Sequence, residues 1–215
     1  MSPAPSPSQV DPLSVVCGQP AASAPAAAGN LSGLWVVQPG SEVGYRAHEK
    51  FAELPSPNIA VARTSRVDGW LQVADDGTTI RIDSGCVAVE LATLHSIDQL
   101  PGFHTSDRDD NVRDFLHTAA HPYAVFQVSP TPLSTGRPGS APVRVRVSGS
   151  LELNGINRPA TFNLVARLNA DQVAAAGSTT VAVGDYRVEV PQDPTGFVTV
   201  DPHITLEISL VLLKK

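Results

Sequence analysis

The sequence predicts an all-β protein in which about eight to nine antiparallel strands close into a barrel. Apolar and polar residues alternate with period two through most of the chain after residue 32, and turn signals rich in Gly, Pro, Asp and Asn separate the alternating runs. A single segment has helical spacing instead. Because a long alternating sheet removes its exposed edges by closing, we expect a barrel, with a β-sandwich as the alternative.

Residues 1–32 differ from the rest of the chain in composition. They are mostly Pro, Ala and Ser, and Asp11 is their only charged residue. Such a stretch buries too little apolar surface to offset the entropy of ordering it, so we predict a disordered tail or spacer over 1–32 and one domain over 33–215. Cys17 lies in this tail and Cys86 in a strand-like segment. We therefore expect no disulfide, with Cys86 a small buried apolar residue.

The charge pattern argues against several classes of partner. The formal net charge is -6, and acidic and basic residues are interspersed, so no basic stripe is available for nucleic acid. No apolar run approaches the roughly 18 to 20 residues that span a bilayer, and no export signal is recognisable. We expect a cell-envelope location, periplasmic or extracellular, if an upstream signal or anchor was removed, and a cytoplasmic one otherwise.

The clearest strand signals lie in the second half of the chain. Apolar residues alternate with Arg, Ser and Glu over 143–153, and the alternation resumes over 160–168. The connection contains Gly155, so the two runs predict a hairpin. The last segment, 204–212, repeats the pattern and predicts a closing strand.

The first half of the chain has strand signals that are less regular. The segments GLWVVQ, EVGYRAHEKF, RVDGWLQVA and TTIRIDSGCVAVEL have strand character and are separated by turn signals. Between Ile82 and Val87 the apolar phase slips by one residue beside Gly85. This slip predicts a bulge or bend that re-aims the strand.

Residues 106–126 interrupt the strands with a run that holds four Asp, two Arg and two His. Ser106, followed three residues later by Asp109, resembles a capping box, and further Asp residues in the first turn suit the helix dipole. Arg108 and Arg113 are expected to pair with the Asp residues of this run or with nearby carbonyls. The apolar residues at helical spacing are Val112, Phe115 and Leu116. The run predicts one short amphipathic helix that ends before Pro122 and packs on the sheet or plugs an opening.

A catalytic interpretation of this run would use its histidines. His104, His117 and His121 with a neighbouring Asp could form a metal site, and a metal-dependent hydrolase is the alternative function. Pro122 restricts His121 to extended backbone, so the histidines need not share a helical face, and we expect them to be solvated. Neither a G-x-S-x-G turn nor a phosphate-binding glycine loop occurs in the sequence. We therefore predict no catalytic residues, no metal and no cofactor.

Five motifs occur in one order between residues 34 and 213, and together they carry a family resemblance. They are LWVVQPGSEVGYRAHE, RDDNVRDFLHTAAHPYAVF, GSLELNGINRP, VGDYRV and VTVDPHITLEISLVL. This order resembles the YceI-like proteins, a bacterial family of polyisoprenoid-binding, lipocalin-like domains. Two positions depart from the family pattern, because Gly40 and Asn111 stand where histidines are common.

The resemblance implies an elongated, eight-stranded antiparallel barrel with a short helix in a long connection and an apolar lumen for an isoprenoid or another amphiphile. The protein would sequester or transport this lipid, its expected partner, and a homodimer stays open. The inward faces mix large residues with Ala and Gly, which leaves room inside the barrel. A filled core would indicate a non-ligand interaction module instead. The residues that we expect at the lumen or its mouth are Val43, Tyr45, Phe103, Phe115, Phe126, Leu151 and Phe162.

Overall fold

The computed structural model of the chain describes residues 11–18, 20, 31–54, 57–99, 102, 104–133, 141–169, 171–192 and 196–215. The strands, in chain order, are β1 (Gly33–Val37), β2 (Glu42–Phe51), β3 (Asn58–Thr64), β4 (Val67–Asp75), β5 (Ile80–Glu90), β6 (His95–Ser96), β7 (Tyr123–Val128), β8 (Thr131–Pro132), β9 (Val143–Leu153), β10 (Ile156–Asn169), β11 (Gln172–Ala182), β12 (Val198–Val200) and β13 (His203–Lys214). The helices are α1 (Leu13–Val16) and α2 (Thr105–Phe115), and 3₁₀ turns cover Leu91–Thr93 and Val183–Tyr186. Neither α1 nor α2, nor any other helix in the described ranges, has the length and apolar character needed to span a bilayer.

The strands form a closed antiparallel barrel, as the alternation predicts. β1 and β2 together make one bent strand of the wall, β3 and β4 make the next, and β5, β7, β9, β10, β11 and β13 complete the eight. β13 closes the circle because its residues 205–209 pair with β2 and its residues 212–214 pair with β1. The chain therefore adopts the barrel rather than the sandwich.

The hairpin predicted around Gly155 is confirmed. Leu153 of β9 pairs with Ile156 of β10, which leaves Asn154 and Gly155 as a two-residue turn. Both turn residues have positive φ, 51° and 69°. The backbone twist of such a turn matches the right-handed twist of the two strands that it connects. The predicted strand faces are confirmed here too, because alternate residues of β9 and β10 are buried in the barrel.

The irregularity predicted near Gly85 is also confirmed. Gln72 of β4 pairs with Ser84 of β5, whereas the next residue, Val73, pairs with Ile82. Asp83 is thus an extra residue in β5, which is the definition of a bulge. Because of this extra residue, apolar side chains of β5 point into the barrel both before and after the bulge.

Apolar side chains fill one end of the barrel more completely than the other. At the closed end, Trp35, Ile80, Leu210 and Leu212 form a tightly packed cluster. At the opposite end, a second cluster surrounds Phe126, and here the strands enclose a cavity. The filled core that would indicate a non-ligand interaction module is therefore present in only one part of the barrel.

Residues 11–18, here called the strap, lie against the outside of the barrel. Cys17 forms a disulfide with Cys86 of β5, with a Cα–Cα distance of 5.5 Å. Our expectation of no disulfide is therefore wrong. Val87 and Val89 face the lumen, so Cys86 faces outward, where a segment that crosses β4 and β5 can reach it. Leu13 of α1 is buried by this packing, although it lies within the predicted disordered tail.

The last residues of the predicted tail are also held by the barrel. The N–H of Leu31 donates to Oδ2 of Asp75 at 3.1 Å, and Oγ of Ser32 donates to the Asp75 carbonyl at 3.0 Å. Leu31 and Ser32 are both buried. Ordered packing therefore begins before the domain boundary that we predict at residue 33.

Candidate functional site

The cavity inside the barrel has a volume of about 420 Å³ and mostly apolar walls. Alternation along β2 positions one side of the wall, since every second side chain of a strand points inward. The inward residues of β2 are Val43, Tyr45, Ala47, Glu49 and Phe51. Phe197 packs edge-on against Phe51, with ring centroids 5.7 Å apart, and it is 50% exposed, so this pair lies at the rim.

Six of the seven residues that we predict at the lumen or mouth line this cavity. They are Val43, Tyr45, Phe115, Phe126, Leu151 and Phe162, and they come from four strands and α2. Phe103 lies outside the described residues. The rings of Phe126 and Phe162 meet edge to face with centroids 5.0 Å apart, an arrangement that fixes both side chains. Contact of these residues with a ligand stays a prediction.

Several apolar wall residues were missed because they lie in turns, in loops or in a very short strand. They are Leu91, Leu94, Val183, Val188, Val190, Val198 and Val200. The first three of these lie in or beside 3₁₀ turns, which have no period-two signal. In contrast, Ile204 and Leu206 belong to the alternation of the last strand, and that signal could have identified them.

Helix α2 packs against β6, the short strand that pairs with β3. It begins at Thr105, and Ser106 provides no cap, so the predicted capping box is wrong. The Asp109 carboxylate instead accepts hydrogen bonds from Ser96 of β6, from its N–H at 3.0 Å and its Oγ at 2.6 Å. These bonds attach the helix to the barrel. The predicted apolar stripe of α2 is confirmed, because Val112, Phe115 and Leu116 all line the cavity.

A charged network lies where α2 meets β2. Nη1 of Arg108 donates to Oε2 of Glu49 at 3.0 Å, and Nη2 donates to both Asp98 oxygens at 2.8 Å. Nε of Arg108 donates to Oγ of Ser96 at 3.2 Å. Contrary to our expectation, Arg108 does not pair with the Asp residues of its own helix, because Glu49 of β2 and Asp98, which follows β6, are in reach. Arg113 does, since it bonds Asp110 and also the Ala92 carbonyl at 3.1 Å.

Burial and pairing oppose each other in this network, and pairing prevails. Burial alone would lower the pKa of Arg108, but its bond to Asp98 and the charge of Glu49 raise that pKa above its ordinary value. Burial likewise would raise the pKa of Asp98, but the Val61 N–H and Arg108 hold it below its ordinary value. Both groups are therefore charged at neutral pH, and each offsets the desolvation of the other.

Tyr45 presents its hydroxyl to the cavity next to this network. Burial raises the pKa of that hydroxyl well above its ordinary value, with Arg108 opposing and Glu49 adding to the effect. The group is thus neutral and able to donate a hydrogen bond. Among the described residues, no hydrogen bond uses this hydroxyl.

The three histidines of the hydrolase alternative lie in different surroundings. His104 lines the cavity before the first turn of α2, whereas Nδ1 of His117 lies 3.1 Å from Oδ1 of Asn154. His121 packs against Gly155. His104 and His117 lie at opposite ends of α2, which is roughly 16 Å long at 1.5 Å per residue. Within the described part of the chain, no three His, Cys, Asp or Glu residues are placed to hold a metal ion.

Comparison with known proteins identifies one matching family and two solved structures with a similar fold. Residues 37–212 match the family model described as YceI-like domain. A polyisoprenoid binding domain from Saccharophagus degradans, implicated in plant cell wall breakdown, has 16% identity and a TM-score of 0.60, with 86% of this chain and 99% of that chain covered. BcnA from Burkholderia cenocepacia has 15% identity and a TM-score of 0.58, with 81% of this chain and 98% of that chain covered. No curated protein matches the sequence. At these identities, the two solved structures show that the barrel fold is shared.

Proposed function

Because the chain belongs to the YceI-like domain family, we propose that it binds an amphiphilic lipid, of the polyisoprenoid class, inside its barrel. The observation that carries this proposal is the apolar cavity of about 420 Å³, which is within the range of roughly 300 to 1,000 Å³ that is typical of small-molecule sites. The similar domain of Saccharophagus degradans is described as polyisoprenoid binding, which supports the same class of ligand.

Affinity would come from transfer of an apolar chain out of water. Each buried CH₂ contributes about 0.8 kcal/mol, so a chain of isoprene units gains from every unit that enters the lumen. Phe126, Phe162 and Leu151 are positioned by paired strands, so the wall needs little reordering when a ligand enters. We place the chain of the lipid between these residues and its head group towards the rim.

We propose a carrier or store rather than an enzyme. Arg108, Glu49 and Asp98 satisfy one another in ion pairs, and this use is structural. The separated histidines give the hydrolase alternative no common site. Sequestration and transport both require only that the lipid enters and leaves the cavity at the rim.

The disulfide supports a location in the cell envelope. Disulfides persist in oxidising compartments such as the periplasm and the cell exterior, and they are rare in the cytosol of most bacteria. The Cys17–Cys86 bond joins the strap to the barrel wall and is part of the packed structure. We therefore propose the periplasm or the cell exterior as the site of action.

The test is mass spectrometry of organic extracts from the purified protein, with a blocked lumen for comparison. Ala124 lines the cavity, so Ala124→Phe would place a ring in the ligand's space. Ala174 is exposed on β11, and Ala174→Phe is the matched control. We expect a long-chain lipid in extracts of the wild type and the control, and much less in extracts of Ala124→Phe. Extracts of the wild type that repeatedly lack a lipid would refute the proposal.

A further inference from the structure

We propose that the lumen selects lipids with an uncharged, oxygen-bearing head group, such as a prenyl alcohol, and disfavours prenyl phosphates. This inference rests on the proposed function and specifies its ligand. It follows from the charges that surround the cavity, and from the groups to which each charge is already bonded.

The positive charge at the cavity is already committed. In the described part of the wall, the only side chains able to carry positive charge are Arg108 and His104. All three nitrogens of the Arg108 guanidinium donate to Glu49, Asp98 or Ser96. Arg108 is already paired with two carboxylates, so a phosphate that approached it would compete with Glu49 and Asp98 for the same positive charge.

Negative charge exceeds positive charge in the same region. Glu49 and Asp107 line the cavity, Asp98 is bonded to Arg108, and Asp109 is bonded to Ser96, which Arg108 also contacts. An anionic head group would therefore approach more carboxylates than cations, and like charges that are brought together cost free energy.

The N-terminus of α2 does favour an anion, because a helix dipole is positive at that end. Asp107 already lies in the first turn and provides the negative charge there. The dipole is therefore partly compensated before any ligand binds. The carboxylates of the network then decide the preference.

Tyr45 gives an uncharged head group a hydrogen-bond partner. Its hydroxyl is neutral, lies inside the lumen next to Arg108 and Glu49, and is not used by another described residue. A hydroxyl or carbonyl oxygen on the ligand can accept the Tyr45 proton without adding charge. The site thus combines a donor for a neutral oxygen with an electrostatic barrier to an anion.

The experiment compares geranylgeraniol with geranylgeranyl diphosphate, because the two share one chain and differ in the head group. Dissociation constants are measured by competition against one neutral fluorescent lipid, at low and at high salt, in the full chain. We expect the alcohol to bind at least about tenfold more tightly than the diphosphate at low salt. A tenfold ratio of dissociation constants corresponds to a difference of about 1.4 kcal/mol in binding free energy. Salt should reduce this ratio, because it screens the repulsion of the diphosphate.

Two variants locate the effect. Glu49→Gln removes one carboxylate and releases part of Arg108, so the preference for the alcohol should fall severalfold. Glu42→Gln is the matched control, because Glu42 is exposed at the start of the same strand and lies away from the lumen. Tyr45→Phe should weaken the alcohol by about threefold to tenfold, the usual value of one hydrogen bond. Thermal unfolding of each variant verifies that it folds.

The outcomes separate this inference from the proposed function. If the diphosphate binds as tightly as the alcohol or more tightly, the head-group inference is overturned and lipid binding stands. If neither compound binds the wild type, the proposed function itself fails, and the inference fails with it. If the preference is present but identical in Glu49→Gln and Glu42→Gln, the charged network is not its cause and the inference is likewise overturned.

Discussion

Removal of the Cys17–Cys86 disulfide should destabilise the protein by about 4 kcal/mol without affecting the lumen. The two cysteines are 69 residues apart in sequence, and the bond closes this loop in the unfolded chain as well as in the folded one. For a loop of this length, the chain-entropy relation gives about 4 kcal/mol at 25 °C, because the cross-link restricts the unfolded ensemble. The variant is Cys17→Ser with Cys86→Ala, since Cys86 is fully buried and alanine keeps that position apolar.

Guanidinium unfolding of the oxidised protein, the reduced protein and the double variant measures this difference. We expect the free energy of unfolding of the two latter forms to be about 4 kcal/mol lower than that of the oxidised protein. The dependence on denaturant should become steeper, because the unfolded chain without the cross-link exposes more surface. Lipid binding by the folded forms should be unchanged, since the strap packs on the outer face of the barrel.

The control for this experiment is the ion pair at the start of the strap. Asp11 bonds Arg66 at 2.6 Å, but both side chains are largely exposed, so Asp11→Asn should leave the unfolding midpoint almost unchanged. A reduced protein whose stability stays within about 1 kcal/mol of the oxidised form would contradict the entropic argument. A loss of lipid affinity in the folded double variant would contradict the separation of strap and lumen.

Three further predictions concern the network, the hairpin and the wall. The pKa of Asp98 is below its ordinary value in the folded protein. The contribution of the Asp98 carboxylate to stability is therefore present above about pH 4 and is lost as the pH falls through the pKa of the folded state. Unfolding midpoints measured from pH 6 to pH 2 should decline less in Asp98→Asn than in the wild type. Gly155 has a φ of 69°, and a Cβ there would lie 2.7 Å from the ring of His121, so Gly155→Ala should cost about 1 to 3 kcal/mol. Gly184→Ala, with open space and no positive φ, should be nearly neutral in thermal unfolding. Phe162→Ala should lower the free energy of unfolding by about 3 to 5 kcal/mol. Added lipid should restore part of that loss. Equal stability of this variant with and without lipid would contradict the assignment of the Phe162 ring to the lumen.

The period-two pattern predicted the strands and several of their details and favoured a barrel over a sandwich, whereas the eight-stranded barrel was implied by the family resemblance. Features that depend on neighbouring residues along the chain can be predicted directly from a sequence. They include the faces of β9 and β10, the turn at Gly155 and the irregularity in β5. The lumen residues on regular strands, such as Tyr45 and Phe162, could be predicted for the same reason once the family resemblance supplied the direction of the interior. The wall residues in 3₁₀ turns, such as Leu91, could not, since no period marks their inward side.

Long-range pairings were the features that local patterns could not predict. The disulfide requires knowledge that the strap crosses the outer face of β5, and neither cysteine indicates this in its own segment. The partners of Arg108 present the same difficulty, because Glu49 is 59 residues away in sequence while Asp109 is adjacent. Proximity along the helix favoured the Asp residues of the helix, whereas the closed barrel brings β2 to the same side chain.

A crystal structure of the protein as purified, without added ligand, tests the central claim most directly. We predict continuous, elongated density in the cavity, in contact with Tyr45, Phe126 and Phe162, with its polar end towards the rim at Phe51 and Phe197. Such density should disappear in Ala124→Phe. A lumen that is closed by its own side chains in the wild type, with no room for a chain, would contradict the account.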